Sequence, residues 1–321
     1  MRNRLALLAS FVVISAVLAV GCSGAAAPPD PYEQLSTSMK TTWNPIQVNM
    51  GMVVTAAGKT VTLDPKDIAM VLDTAGGKFG FHVSLPASGL GVPGAALSQL
   101  GIEGDSLDFD MVYADDALYA RSPLFRPMLK MILGPTGKIP VGDLTGWLKL
   151  GTKAELMALG ALSGANRGVP TFAPPASGDQ STPAAVKASL EATGITLTIA
   201  GTEKHNGADA RHLKIGIDLE KLITNPAFVA GAGPQGGQMI AAMRAFTFSG
   251  DLWIDASTNR VVESDIHMAS TKDPTAVGDI TVTAHDPDGT VSLGAPGAVV
   301  DVPLGPLVTE MMKMIGKGAE S

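Results

Sequence analysis

The sequence predicts an α+β fold built on a large, curved, mostly antiparallel β-sheet with helices covering one face. Two observations carry this expectation: many short stretches alternate apolar and polar residues with period two, and segments of helical spacing lie between them. Period two means strands with one wet and one buried face, the habit of antiparallel sheets. Runs of strands interspersed with helices, without regular βαβ units, point to an α+β layer arrangement.

The chain opens with Arg2 and Arg4, an apolar stretch from Leu5 to Val20 broken by Ser10 and Ser15, and the small-residue run Ala19-Val20-Gly21-Cys22. This pattern resembles a bacterial lipobox, although Ala19 stands where leucine is commonest. The expectation is cleavage between Gly21 and Cys22, with the Cys22 thiol carrying a diacylglycerol. The apolar stretch falls short of the roughly 20 residues that span a bilayer. Ser23 to Pro29, SGAAAPP, reads as a flexible tether. Residues 1–21 are therefore expected as signal peptide, 22–30 as tether, 31–316 as a single domain and 317–321 as a tail. The protein is expected to be lipid-anchored in the cell membrane on the extracytoplasmic side, because two or three acyl chains at one residue anchor stably.

After a short helix over Tyr32–Thr42, the first strand places Ile46, Val48, Met50, Met52 and Val54 on one side. Phe79, Phe81, Val83 and Leu85 repeat the pattern, then Leu107, Phe109, Met111 and Tyr113, with a turn at Asp115-Asp116. Helices are expected over Pro123–Leu133, Thr152–Leu162, Thr182–Ala192, Leu219–Val229 and Gly237–Ala245. Strands of the second half show Ile195, Leu197, Ile199; Leu213, Ile215, Ile217, Leu219; Phe246, Phe248, Leu252, Ile254; Val262, Ser264, Ile266, Met268; and Ile280, Val282, Ala284. Pro287-Asp288-Gly289 supplies a turn, and Leu304, Leu307, Val308, Met311, Met314 and Ile315 make a helical stripe. Two stretches interrupt the pattern, Gly-rich Pro86–Gly104 and Pro/Gly-rich 164–182. The second is read as a long loop within one domain, since neither half alone would readily bury its apolar faces.

Composition excludes several functions. The formal charge is −7, the basic residues are scattered, and no basic run is interleaved with aromatics, so nucleic acid is not an expected partner. With Cys22 the sole cysteine, no internal disulfide can form, and packing must stabilise the fold. The apolar content is aliphatic and methionine-rich, which suits either an irregular core or an adaptable lining for hydrocarbon.

No motif points to catalysis. Gly89, Gly91, Gly94 and Gly231, Gly233, Gly236 both match GxGxxG, but neither runs from a strand straight into a long helix, and 37 glycines make such matches cheap. The histidines, His82, His205, His212, His267 and His285, are dispersed without metal-ligand spacing, and His82 and His267 fall on the solvent phase of their strands. There is no GxSxG, and Asp286-Pro287-Asp288-Gly289 lacks the spacing of a calcium loop. Neither an enzyme, a metal nor a cofactor is expected.

Several stretches together resemble a family. They are the lipobox, Leu118-Tyr119-Ala120 on a hairpin, Gly146-Trp147-Leu148-Lys149-Leu150, the run from Gly201-Thr202-Glu203 through Asn206-Gly207 and His212-Leu213 to Asp218-Leu219-Glu220-Lys221-Leu222, and Leu252-Trp253-Ile254-Asp255 with Arg260 to Ser264. They are similar to LppX/LprG-type bacterial lipoproteins and, more widely, to LolA/LolB-like lipid carriers. The resemblance implies a half-barrel whose concave face, roofed by helices, encloses a cavity for acyl chains. It also implies an acylated lipid or lipoglycan as ligand and an envelope transporter as a further partner. The apolar positions expected to face the cavity are Met50, Met52, Phe79, Phe81, Phe109, Met111, Phe246 and Phe248; the alternative for each is a filled core position. The alternative for the protein is a non-enzymatic envelope scaffold or sensor with a solid core and a protein partner.

Overall fold

The computed structural model describes residues 30–40, 43–87, 97–98, 102, 106–125, 127, 146–155, 182–226, 228–229 and 236–302. Gly21, Cys22, the tether, the stripe over 304–315 and most of the expected helices over 123–133 and 152–162 lie outside them. In chain order the elements are α1 (Pro31–Ser38), β1 (Ile46–Ala56), β2 (Lys59–Leu63), β3 (Ile68–Asp73), β4 (Lys78–Pro86), β5 (Ser106–Ala114), β6 (Ala117–Arg121) and β7 (Trp147–Thr152). There follow α2 (Pro183–Ala192), β8 (Ile195–His205), β9 (Ala208–Ile217), α3 (Leu219–Thr224), α4 (Gly236–Met243), β10 (Phe246–Asp255), β11 (Val261–Ser270), β12 (Val277–His285) and β13 (Val299–Asp301). The α+β class holds, with every strand pairing described below antiparallel except that of β13 with β7.

Backbone contacts group the chain into two compact units, one drawn from Met1–Lys66 and Pro174–Asp286, the other from Asp67–Ala173 and Pro287–Ser321. The return from the second unit to the first falls inside the Pro/Gly-rich stretch 164–182.

In the first unit the strands run β2-β1-β12-β11-β10-β9-β8. Register places Met52, Ile280, Ile266, Gly250, Ile215 and Leu197 in one row across six strands, and Met50, Val282, Ser264, Leu252, Leu213 and Ile199 in the next. Leu213, Leu252 and Ile254 are fully buried, each side chain of this kind stabilising the fold by roughly 1.5–3 kcal/mol. Gly250 keeps its row flat, since a Cβ there would sit 2.5 Å from the Asp265 carbonyl oxygen. Tight hairpins turn on two successive positive φ angles: Asn206-Gly207, both residues that accept it, at 49° and 85°, and Ala57-Gly58 at 52° and 70°, where only the glycine does so freely. The helices start where capping chemistry dictates. Asp30 accepts the Tyr32 N–H at 2.9 Å, Thr182 caps α2 with Pro183 behind it, and Asp218 caps α3. Both α1 and α2 pack on each other and on β8, where the Tyr32 hydroxyl accepts the Leu197 N–H at 3.2 Å.

The second unit has the order β13-β7-β6-β5-β4-β3. One face carries the row Met70, Phe81, Met111, Ala120, Leu148 and the row Leu72, Phe79, Tyr113, Leu118. The other carries Val71, Gly80, Val112 and Tyr119, and Val291 with Leu293 packs over Ala69 and Val71. The hairpin at Asp115-Asp116 has φ of 51° and 56°, as its turn chemistry predicted.

Several expectations change. The α+β class and the mostly antiparallel strand pairing stand, while the half-barrel remains an expectation. Leu219 is the first residue of α3 and not a strand end, because Asp218 caps the helix there. Strand β7 continues through Thr152, which was expected to start a helix. A bulge opposite Trp253 and Ile254 shifts the phase of β11, so that Val261 is buried and Val262 is not. His82, expected in solvent, is half-buried and its Nδ1 lies 2.8 Å from Asp110 Oδ1.

Candidate functional site

The first unit has one apolar and one polar sheet face, the second an apolar face and a mixed one on which Val71, Val112 and Tyr119 lie beside His82 and Asp110, and the eight expected cavity residues divide between the two apolar faces. Met50, Met52, Phe246 and Phe248 share the apolar face of the first unit, with Met50 and Met52 opposite Val282 and Ile280, and Phe248 opposite Met268. Phe79, Phe81, Phe109 and Met111 share the apolar face of the second unit. Met52, Phe79 and Phe248 are buried by the protein itself, whereas Met50, Phe81, Phe109, Met111 and Phe246 keep part of their surface open.

The second unit's apolar face is the more distinctive. Phe79 and Phe81 stack with centroids 6.3 Å apart, Phe81 meets Phe109 edge-on at 6.3 Å, and Phe109 meets Phe125 edge-on at 6.0 Å. Aromatic pairs at these separations gain about 0.5–1.5 kcal/mol beyond area burial. Met70 and Met111 lie across from Phe81 on β3 and β5, so a flexible thioether flanks the rings on both sides. Sequence reasoning missed Met70, because Ile68 to Leu72 is continuously apolar and shows no alternation. It missed Phe125 because the residue lies beyond the strands.

Behind this face, His82 and Arg121 converge on Asp110, with both Arg121 Nε and Nη2 donating to Asp110 Oδ2. Ser84 and Ser106 donate to Asp108 Oδ1 at 2.6 and 3.0 Å. Ser84 lies two residues from His82, but its hydroxyl is spent on Asp108, so the group is a lattice bracing β4 to β6 and not a nucleophile with its base. Among the described residues, no three His, Cys, Asp or Glu side chains are grouped to hold a metal ion, and no helix is long and apolar enough to cross a membrane.

The polar face of the first unit gathers two histidines that the sequence leaves far apart in pattern. His205 and His212 both stack on Trp253, at centroid distances of 4.3 and 4.9 Å. Nearby, burial pushes the Asp265 carboxyl up from its ordinary value, a hydrogen bond with Thr281 opposes the shift, and the charges of Glu263 and Asp251 add to it. Asp265 Oδ1 is buried without a hydrogen-bond partner. A carboxyl raised on folding weakens the fold once pH passes the unfolded value of 3.8 and through the raised value, because the unfolded chain releases its proton first. Asp265→Asn is accordingly expected to raise stability at pH 7, read as a higher melting temperature than the wild type. The gain should close as pH falls below 3.8 in paired thermal melts.

No protein-family model and no curated protein matches this chain. Among solved structures it is similar to LprF from Mycobacterium bovis, at 13% identity and a TM-score of 0.36, over 85% of this chain and 100% of that one. It is similar to the lipoprotein LppX from Mycobacterium tuberculosis at 12% identity and a TM-score of 0.29, over 77% and 89%. A LolA-superfamily protein from Nitrosomonas europaea shows 8% identity and a TM-score of 0.23, over 84% and 96%. Scores this low say nothing about function, which must be argued from the residues of this chain.

Proposed function

We propose that this chain is a membrane-anchored envelope lipoprotein, non-enzymatic, that binds and carries acylated lipid or lipoglycan on an apolar surface, with residues 31–316 serving as one carrier domain. The observation that carries the reading is the partly open patch of Phe81, Phe109 and Met111 on one face of a sheet whose other face is polar or sealed. Such a patch offers hydrocarbon about 0.8 kcal/mol per methylene removed from water, so a chain of a dozen carbons binds without polar contacts. The lipobox supplies the anchor at Cys22, on the extracytoplasmic side of the cell membrane, and the tether keeps the domain near a lipid source; an envelope transporter is the partner such a carrier would serve.

The test is native mass spectrometry of the full chain, made in a lipidating bacterial host and extracted from membranes, followed by lipid extraction. An acylated lipid should copurify, and Phe81→Asp with Phe109→Asp should reduce it about tenfold or more by placing two charges on the binding face. A reproducibly empty protein that takes up no labelled lipid would sink the carrier reading and favour a scaffold or sensor, for which sealed Met52, Phe79 and Phe248 already provide core. Cys22→Ala should move the protein from the membrane to the soluble fraction while leaving the domain's melting unchanged.

A further inference from the structure

We propose that the polar face of the first unit carries a proton-operated clasp, in which His205 and His212 close the β8–β9 hairpin onto Trp253 of β10 when they take up protons. This proposal does not depend on the lipid reading. Trp253 Nε1–H donates to Glu203 Oε1 at 2.7 Å, tying β10 to edge strand β8 across the intervening β9. His212, directly opposite Trp253 on β9, has Nδ1 3.4 Å from that same Glu203 oxygen and Nε2 in contact with Asp251 Oδ1. A carboxylate oxygen therefore faces each ring nitrogen. A neutral imidazole has one N–H and can satisfy only one of them, whereas an imidazolium has two.

His205 precedes the Asn206-Gly207 turn at the tip of the hairpin. Its ring lies 10° from parallel with the indole, and its Nε2 is 3.1 Å from Glu263 Oε2 on β11. That nitrogen is buried and makes no hydrogen bond, and the Glu263 carboxylate is the charged group against it, so a positive charge on the ring is attracted to that carboxylate. Asn206 Nδ2 donates to the same Glu263 oxygen at 3.0 Å.

The groups facing this stack from each element are Glu203 on β8, Lys214 on β9, Asp251 on β10, Glu263, Asp265 and His267 on β11, and Asp279 on β12. His267 is engaged with Asp279 at 2.7 Å. Lys214 is the sole lysine or arginine among them, so carboxylates dominate and protonation of the two rings relieves charge instead of adding to it. Each proton adds one cation stacked on the indole and strengthens an existing carboxylate contact. The bonds tied this way join β8, β9, β10 and β11, whose opposite faces hold Leu197, Leu213, Leu252 and Ile266. Each ring that gains a proton therefore ties the hairpin more firmly to β10 and β11, so the hairpin stiffens with acidity.

The test uses the full chain in detergent and two readouts over pH 5 to 8. Trp253 emission, taken as the difference between the wild type and Trp253→Phe, should fall as pH drops, because a stacked imidazolium quenches indole. Amide exchange across residues 197–213, corrected for the intrinsic effect of pH, should slow by about tenfold at the acidic end. Both trends should vanish in His205→Gln with His212→Gln. Glu203→Gln, which keeps an acceptor for the indole and removes the charge, should weaken both trends and serves if the double variant fails to fold. Flat emission and flat corrected exchange in the wild type would overturn the proposal, as would pH trends that survive in the histidine double variant or are unchanged by Glu203→Gln.

Discussion

Leu252→Ala is expected to cost the first unit about 3–5 kcal/mol, the upper range for emptying a leucine-sized space in a packed sheet face. Leu252 is fully buried in the middle of the row that includes Met50, Val282, Ser264 and Leu213. Its cross-strand neighbours are held by ladders on both sides, so β10 cannot shift to refill the space. Most of the lost contact is then left as cavity. Urea unfolding followed by circular dichroism should show the midpoint falling sharply with the slope unchanged. Leu252→Met, which conserves volume, should cost under about 1.5 kcal/mol. A loss below about 1 kcal/mol for the alanine variant would mean that the face is already loosely packed, contrary to its burial.

The second large effect is expected at Gly80. This glycine sits on β4 beneath the segment that follows β12, and a Cβ built on it would lie 2.4 Å from the Ser292 carbonyl oxygen and 2.7 Å from Val291 Cγ1. A backbone oxygen cannot rotate out of the way as a side-chain tip can. Gly80→Val must therefore lift residues 291–293 off Ala69 and Val71, exposing apolar surface on β3. We expect a loss of about 2–3 kcal/mol and a new proteolytic cleavage between 286 and 298. Gly146→Ala, where a Cβ would meet nothing within 4 Å, should leave both stability and the cleavage pattern unchanged.

What was readable in the chain was whatever local chemistry dictates. The start of α2 was legible from Thr182-Pro183, and the β5–β6 turn from Asp115-Asp116. Strands β1, β4, β5, β10 and β12 were legible because each keeps one face apolar and the other polar. Strand β3 was not, since Val291 and Leu293 cover one of its faces and the other continues the row of Phe81; a strand with apolar residues on both faces loses its alternation. The phase of β11 holds from Ser264 to Met268 and is misplaced by one residue before Ser264, since a bulge depends on the partner strand and leaves no mark in its own sequence.

The candidate site divides in the same way. That Met50, Met52, Phe246 and Phe248 belong to one face, and Phe79, Phe81, Phe109 and Met111 to another, follows from period-two patterning and from strand order. Which of them remain partly open depends on what packs above, and sequence spacing carries no information on that. His205, His212 and Trp253 make the same point more sharply. Each reads alone as an ordinary polar-face residue, and only register across β8, β9 and β10 stacks them.

The sequence alone determined the α+β class, the absence of a disulfide within the chain, and the sidedness of most strands, and it alone carries the expectation of a lipobox at Cys22. Covalent chemistry and side-chain alternation are local properties that need no partner to be expressed. Tertiary structure decided the strand order, the covering of β3 by residues 291–293, the bulge in β11 and the meeting of two histidines on one tryptophan. Each of these is a contact between residues remote in the chain, fixed by the pairing free energy of whole strands and not by any single residue's preference.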